Sequence, residues 1–152
     1  MATLIVTLTE SVSLNDREQG ATNSFTISNV DEVMKRIVTC PTSATTTVAT
    51  FATATSTSAG AIDVDDCKYI RITNLDSTNA VELAVVNAVT TGDGNYQVTL
   101  AAGQSHALGS PAVCMLAEED TTPSFGTMLN VASIQVKPVG DAVSVEVFIA
   151  SV

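Results

Sequence analysis

The feature that most constrains this chain is strict alternation of apolar and polar residues, built from Val, Ile, Thr and Ala. It is clearest in Lys68-Tyr69-Ile70-Arg71-Ile72-Thr73, Val81-Glu82-Leu83-Ala84-Val85 and Val143-Ser144-Val145-Glu146-Val147-Phe148-Ile149. Successive side chains on a strand point to opposite faces, so period-two alternation is the pattern of a half-buried sheet. The segments end in turn clusters such as Asn74-Leu75-Asp76-Ser77-Thr78-Asn79 and Gly92-Asp93-Gly94-Asn95. The expectation is an all-β chain: a single-domain antiparallel β-sandwich or jelly-roll-like fold of about nine to ten short strands.

A chain of 152 residues is long enough to bury roughly 68–70% of its unfolded surface and to fold without disulfide or metal. Only 14% of its residues are charged, below the usual quarter or so. Ser and Thr fill the polar positions, and the β-branched Thr suits a pleated surface. With no Trp and 4% aromatic residues, the core must be aliphatic.

The net charge of −10, with six basic residues in all, argues against a nucleic-acid surface, which needs clustered Lys and Arg. Lys35-Arg36 is the one adjacent basic pair. An anionic membrane would be repelled as well, and no run approaches the 18 or so apolar residues of a membrane-spanning helix. Cys40, Cys67 and Cys114 are odd in number and widely spaced, which suits free thiols in a reducing compartment better than a disulfide framework or a zinc site. The opening Met1-Ala2-Thr3-Leu4-Ile5-Val6-Thr7 lacks the basic start and continuous apolar run of a signal peptide. Folding in a cytoplasm is expected.

Strand expectations follow the alternation. They are Ala2 to Thr9, Ser24 to Ser28, Thr45 to Thr53 as an edge strand, Ile62 to Asp66, Lys68 to Asn74, Ala80 to Val86, Tyr96 to Leu100, His106 to Leu108, Met128 to Pro138 and Ala142 to Val152. Asn15 to Gly20 reads as a polar loop, and Ala117 to Gly126 as a variable one. Asp31 to Thr39 is ambiguous. Val30, Val33, Met34 and Ile37 have helical spacing, whereas Arg36-Ile37-Val38-Thr39 looks extended, and Pro41 favours a strand for the second half. The Thr-, Ala- and Ser-rich stretch 42–58 reads either as a linker or, preferably, as the edge strand followed by a Ser/Gly loop at Ser56 to Gly60. The loop between Lys68–Asn74 and Ala80–Val86 suggests that those two strands pair antiparallel. No domain boundary or repeat is visible, so residues 1–152 read as one domain, with residues 1–14 as an N-terminal arm or exchanged strand.

Candidate reactive groups are few. His106 lies in Gly103-Gln104-Ser105-His106-Ala107, which superficially resembles a nucleophile elbow but lacks its last glycine and its strand-to-helix context. A histidine adjacent to its supposed nucleophile is also poorly placed as its base. Asp63, Asp65 and Asp66 are the densest acidic group. Asp63 and Asp65 on one strand face could hold a hard cation, yet the loop lacks the spaced Asp/Asn/Gly pattern of a dedicated calcium site, and a solvated strand end is the preferred reading. Glu118-Glu119-Asp120 reads as a charged loop tip, and Asp93 as turn chemistry. Cys67 has a neighbouring cation, Lys68, that could lower its pKa, although adjacent strand residues face opposite ways. No catalytic, cofactor or metal site is expected.

The passage Lys68-Tyr69-Ile70-Arg71-Ile72-Thr73-Asn74-Leu75-Asp76-Ser77-Thr78-Asn79-Ala80-Val81-Glu82-Leu83, with Leu100-Ala101-Ala102-Gly103-Gln104-Ser105 after it, resembles one recurrent in small virion structural proteins of tailed bacteriophages. In these, a strand carrying "I-x-N" leads through a loop and a second strand to an "L-x-A-G-Q" turn. Val6-Thr7-Leu8-Thr9-Glu10, Phe25-Thr26-Ile27-Ser28-Asn29-Val30, Lys35-Arg36-Ile37-Val38-Thr39 and Val145-Glu146-Val147-Phe148-Ile149-Ala150 are similar to such proteins too, especially those of marine and cyanobacterial phages. The resemblance covers most of the chain and rests on β patterning. It implies a head decoration (cement) protein of sandwich fold, assembled in the host bacterial cytoplasm and carried on the virion. The implied partners are the major capsid protein and further copies of itself, as a homotrimer, with no cofactor. The rival expectation is a small tail, neck or fibre-associated module that binds a receptor or carbohydrate; the shortage of aromatic residues disfavours it. Under the decoration reading, Ala2–Thr9 is the expected exchanging or anchoring element, apolar and able to pair with a neighbour's exposed sheet edge.

Overall fold

A computed structural model of the chain describes residues 1–55, 60–88, 94–116, 122–123 and 125–152. The sequence expectations at Ser56 to Ala59, Asp93 and Glu118-Glu119-Asp120 lie outside the described residues. Among the described residues thirteen strands run in order: β1 (Ala2–Thr9), β2 (Ser13–Leu14), β3 (Arg17–Glu18), β4 (Thr22–Val30), β5 (Glu32–Cys40), β6 (Thr46–Ala52), β7 (Ile62–Asp63), β8 (Cys67–Asn74), β9 (Val81–Asn87), β10 (Asn95–Leu100), β11 (Ser105–Leu108), β12 (Val131–Pro138) and β13 (Val143–Ser151). No α-helix occurs among the described residues. The chain is an all-β sandwich.

Its body consists of two sheets. One has the order β10-β9-β12-β6-β7 and the other β11-β8-β13-β5. All pairs are antiparallel except the two-residue parallel contact of β6 with β7. Alternate residues of each strand point inward, so that Ile70, Ile72, Val145, Val147 and Ile149 of one sheet meet Val48, Leu83, Val85, Ile134 and Val136 of the other in one buried cluster. Each of these side chains is essentially removed from water, which at roughly 25 cal/mol per Å² of apolar surface is the main force holding the sheets together. β7 covers only the last two residues of β6, so most of β6 lies at the sheet margin.

The whole of β5 is extended, in a nine-residue register with β13 from Glu32↔Ser151 to Cys40↔Val143. The apparent helical spacing dissolves once the pleat sorts it. Met34 and Val38 pack against the core, Val33 and Ile37 point to solvent, and Val30 belongs to a separate small cluster.

β8 and β9 do not pair, contrary to the expectation from their connecting loop; they belong to opposite sheets. Both strands bury one complete face (Ile70 and Ile72; Val81, Leu83 and Val85), and these faces meet across the interior, which side-by-side pairing would prevent. The loop is built as an arch rather than a tight turn. Asp76 Oδ1 accepts the amides of Thr78 (2.8 Å) and Asn79 (2.7 Å), and Asn74 Oδ1 accepts that of Asp76 (3.0 Å). The fully buried Asn74 donates through Nδ2 to the carbonyls of Asn79 (2.9 Å), Leu100 (3.2 Å) and Ala101 (3.2 Å). It thus ties together three chain segments at the end of the sandwich.

The first thirty residues form a separate element. β1 pairs antiparallel with β4, from Thr9↔Thr22 to Leu4↔Ile27, with an irregularity between Ala2 and Leu4. This gives a two-stranded ribbon joined to neither body sheet. The expected loop at Asn15 to Gly20 is instead a tight hairpin. β2 and β3 pair around Asn15 (φ 53°) and Asp16 (φ 58°), the left-handed pair of a type I′ turn, which Asn and Asp tolerate. Glu18 closes the tip by accepting the amides of Val12 (2.9 Å) and Gly20 (2.7 Å).

Candidate docking surface

The ribbon reaches the body through a small apolar cluster. Val30, Tyr69 and Ala150 are buried there, with Leu4, Val6, Ile27, Phe148 and Val152 packed around them. Tyr69 meets Phe25 and Phe148 edge-to-face, each at 6.1 Å between ring centroids. Residues opposite one another in an antiparallel pair share a face. Leu4, Val6, Leu8, Phe25 and Ile27 therefore line the face turned to the body. Contact is made at the base and thins outward, where Phe25 touches Tyr69 yet is 52% exposed and Leu8 is 62% exposed.

Between the ribbon and the four-stranded sheet lies an open cleft of about 630 Å³. One wall is β1 from Leu4 through Leu8; the floor is Tyr69, Arg71 and Phe148; the far wall is β11 and Gly109. Consecutive β1 residues line it, from both faces of the strand, so the cleft runs along the free edge of β1. Arg71 in its floor belongs to an ion cluster. Glu146 accepts Arg71 at 2.5 Å and Lys35 at 3.1 Å, and the Arg71 guanidinium lies 5.7 Å from the centroid of Phe148. Arg71 Nε is buried without a partner among the described residues.

The sequence-singled groups are dispersed. His106 Nε2 and the Tyr96 hydroxyl share a hydrogen bond of 3.0 Å, and burial lowers the imidazole pKa. Ser105 bonds instead to the Thr73 hydroxyl at 2.8 Å, and the chain enters β11 from another strand rather than leading into a helix. Cys67 is fully buried. Desolvation pushes its thiol up to about 12, overriding the small opposing effects of the Tyr69 backbone and Lys68. Cys40 is likewise buried and Cys114 exposed. Asp63 ends β7, whereas Asp65 and Asp66 lie in the turn that follows, so the expected shared strand face does not exist. Asp63 Oδ1 caps the Asp65 amide at 2.9 Å. Among the described residues no three His, Cys, Asp or Glu side chains come together as a metal site.

Reading the sequence strand by strand missed the cleft, since its walls are 100 residues apart in the chain. One signal was present: β1 and β4 contain no charge and no proline, unusual for strands that leave edges open.

No protein-family model matches this chain, and no curated protein matches it. Among solved structures, a chain of the disulfide-linked pili that form Bacillus endospore appendages is similar to it at 10% identity and a TM-score of 0.40, over 78% of this chain and 87% of that one. So distant a likeness transfers no property.

Proposed function

We propose that the chain is a non-enzymatic structural protein of a tailed-phage virion: a capsid decoration protein that binds the outer surface of the head through the major capsid protein, and thereby stabilises it. The reading combines the sequence resemblance with one structural observation. A prominent surface feature is the ribbon, whose strands β1 and β4 carry no charge, beside a largely apolar cleft on an otherwise acidic sandwich, which suits protein–protein docking. Ser105 bonded to Thr73 rather than to His106, and Cys40 and Cys67 buried as free thiols, favour docking over catalysis. The fate of the tyrosines favours a decoration protein over a sugar-binding tail module. Tyr69 is buried under the ribbon and Tyr96 is engaged by His106, so neither offers a free ring for stacking on a carbohydrate. The acidic surface keeps many copies soluble in the bacterial cytoplasm before assembly. The trimers that the resemblance implies are part of this reading.

Quantitative mass spectrometry of purified virions tests it. Hundreds of copies per particle, comparable with the major capsid protein, are expected. A few to a few dozen copies would move the protein to the neck or tail, and none would remove it from the virion.

A further inference from the structure

The free edge of β1 is complementary to itself. Residues Thr3-Leu4-Ile5-Val6-Thr7-Leu8-Thr9 read almost the same in both directions about Val6. Laid antiparallel on a copy of itself centred there, the strand sets Thr3 against Thr9, Leu4 against Leu8 and Val6 against Val6, with Ile5 facing Thr7. Cross-strand Thr–Thr and aliphatic pairs are favourable, whereas like charges directly opposite are unfavourable. This register contains no charge at all, so two chains of net charge −10 can meet along it without opposing like charges. β4, the ribbon's other strand, also has a free and uncharged edge, but the cleft is lined by five consecutive residues of β1 and by Phe25 alone of β4. β5, a nine-residue edge strand of the body, carries Glu32, Lys35 and Arg36, the kind of charge that discourages edge pairing.

Two further observations point the same way. A lone two-stranded ribbon is marginal in water and needs further pairing or packing, yet this one is covered only near its base. Ile5, on its outer face, is 64% exposed. The cleft of about 630 Å³ also lies along the β1 edge, leaving that edge open to a further strand.

We propose that a second copy of this chain pairs β1 to β1 across a two-fold axis through Val6, giving a continuous four-stranded β4-β1-β1-β4 sheet. Such an isologous contact joins copies two at a time. It identifies a self-association surface and does not rest on the virion reading.

Light scattering on the purified full chain should give a mass of two, or a larger even number, of the 15.7 kDa chains. Replacing Ile5→Lys and Thr7→Lys together sets lysines opposite one another, and should halve that mass while leaving the circular dichroism and unfolding midpoint of the body unchanged. Register is tested by oxidation in a Cys114→Ser background. Ile5→Cys combined with Thr7→Cys should give a covalent dimer, and either cysteine alone should not. A monomer at all concentrations, a trimer, an oligomer indifferent to the two lysines, or equal cross-linking by the single cysteines would each overturn the pairing. A trimer would do so while favouring the virion reading; an even-numbered oligomer absent from particles would overturn the virion reading alone.

Discussion

The body and the ribbon are made from the same residue vocabulary, yet they are held in different ways. In the body, two sheets press apolar faces together, and their inward Val, Ile and Leu side chains form one buried cluster. In the ribbon, the second layer is the small patch of Tyr69, Phe148, Ala150 and Val152. Beyond them, Leu8 and Phe25 keep most of their surface in water. A strand pair becomes stable when its apolar face is covered, not merely when its backbone is paired. The body is accordingly self-sufficient, while the ribbon is an element shaped for further contact.

The contrast can be broken from the body side first. Leu83 is fully buried between the sheets, and Leu83→Ala should cost about 2–5 kcal/mol in urea unfolding, with ribbon and body lost together. Asn74→Ala should follow at about 1–3 kcal/mol, because it removes the donor from the carbonyls of Asn79, Leu100 and Ala101 at once.

Ribbon changes should leave the global midpoint nearly untouched. A Cβ at Gly20 would lie 1.9 Å from the Glu10 carbonyl oxygen, so backbone must shift. Gly20→Ala should cost about 1–3 kcal/mol of local strain, read as faster proteolytic nicking within residues 9–22 while thermal unfolding of the body holds. If the body's midpoint falls equally, the two regions are one cooperative unit and the contrast fails.

The smallest effect is a pH dependence at the ribbon tip. The amides of Val12 and Gly20 hold the Glu18 carboxyl below its ordinary pKa, followed by the smaller effect of the Ser11 hydroxyl. A depressed folded-state value means that the unfolded chain takes up the proton first. The contribution is therefore complete above about pH 4.3, the free carboxylate value, and is lost as the pH falls through the folded value. Exchange of the Val12 and Gly20 amides, corrected for intrinsic rates, should accelerate on acidification, and Glu18→Gln should abolish that acceleration.

Much of the fold was legible because alternation is a local record of burial. The β1 segment Ala2–Thr9 is marked end to end by Leu4, Val6 and Leu8, and β8, β9 and β13 stand out for the same reason. The misread elements are those where local signals compete. Helical spacing at Val30, Val33, Met34 and Ile37 was a coincidence of three environments, the small cluster, solvent and the main core, and the Asn15-Asp16 turn was obscured by its charged neighbours. The cleft was illegible as a site, because Leu4, Tyr69, Ala107 and Phe148 become neighbours only after three strand crossings.

What the sequence determined by itself is the β class, the inward-facing residue set and the uncharged, near-palindromic edge of β1, since each follows from the period-two geometry of a strand. Only the tertiary structure decided that β8 and β9 separate into opposite sheets and that the first thirty residues stand off as a ribbon over an open cleft. Alternation says which side of a strand seeks burial, but not which other strand supplies it. That choice belongs to the whole packed core, and here the strongest apolar faces were matched with each other, leaving the ribbon only partly covered.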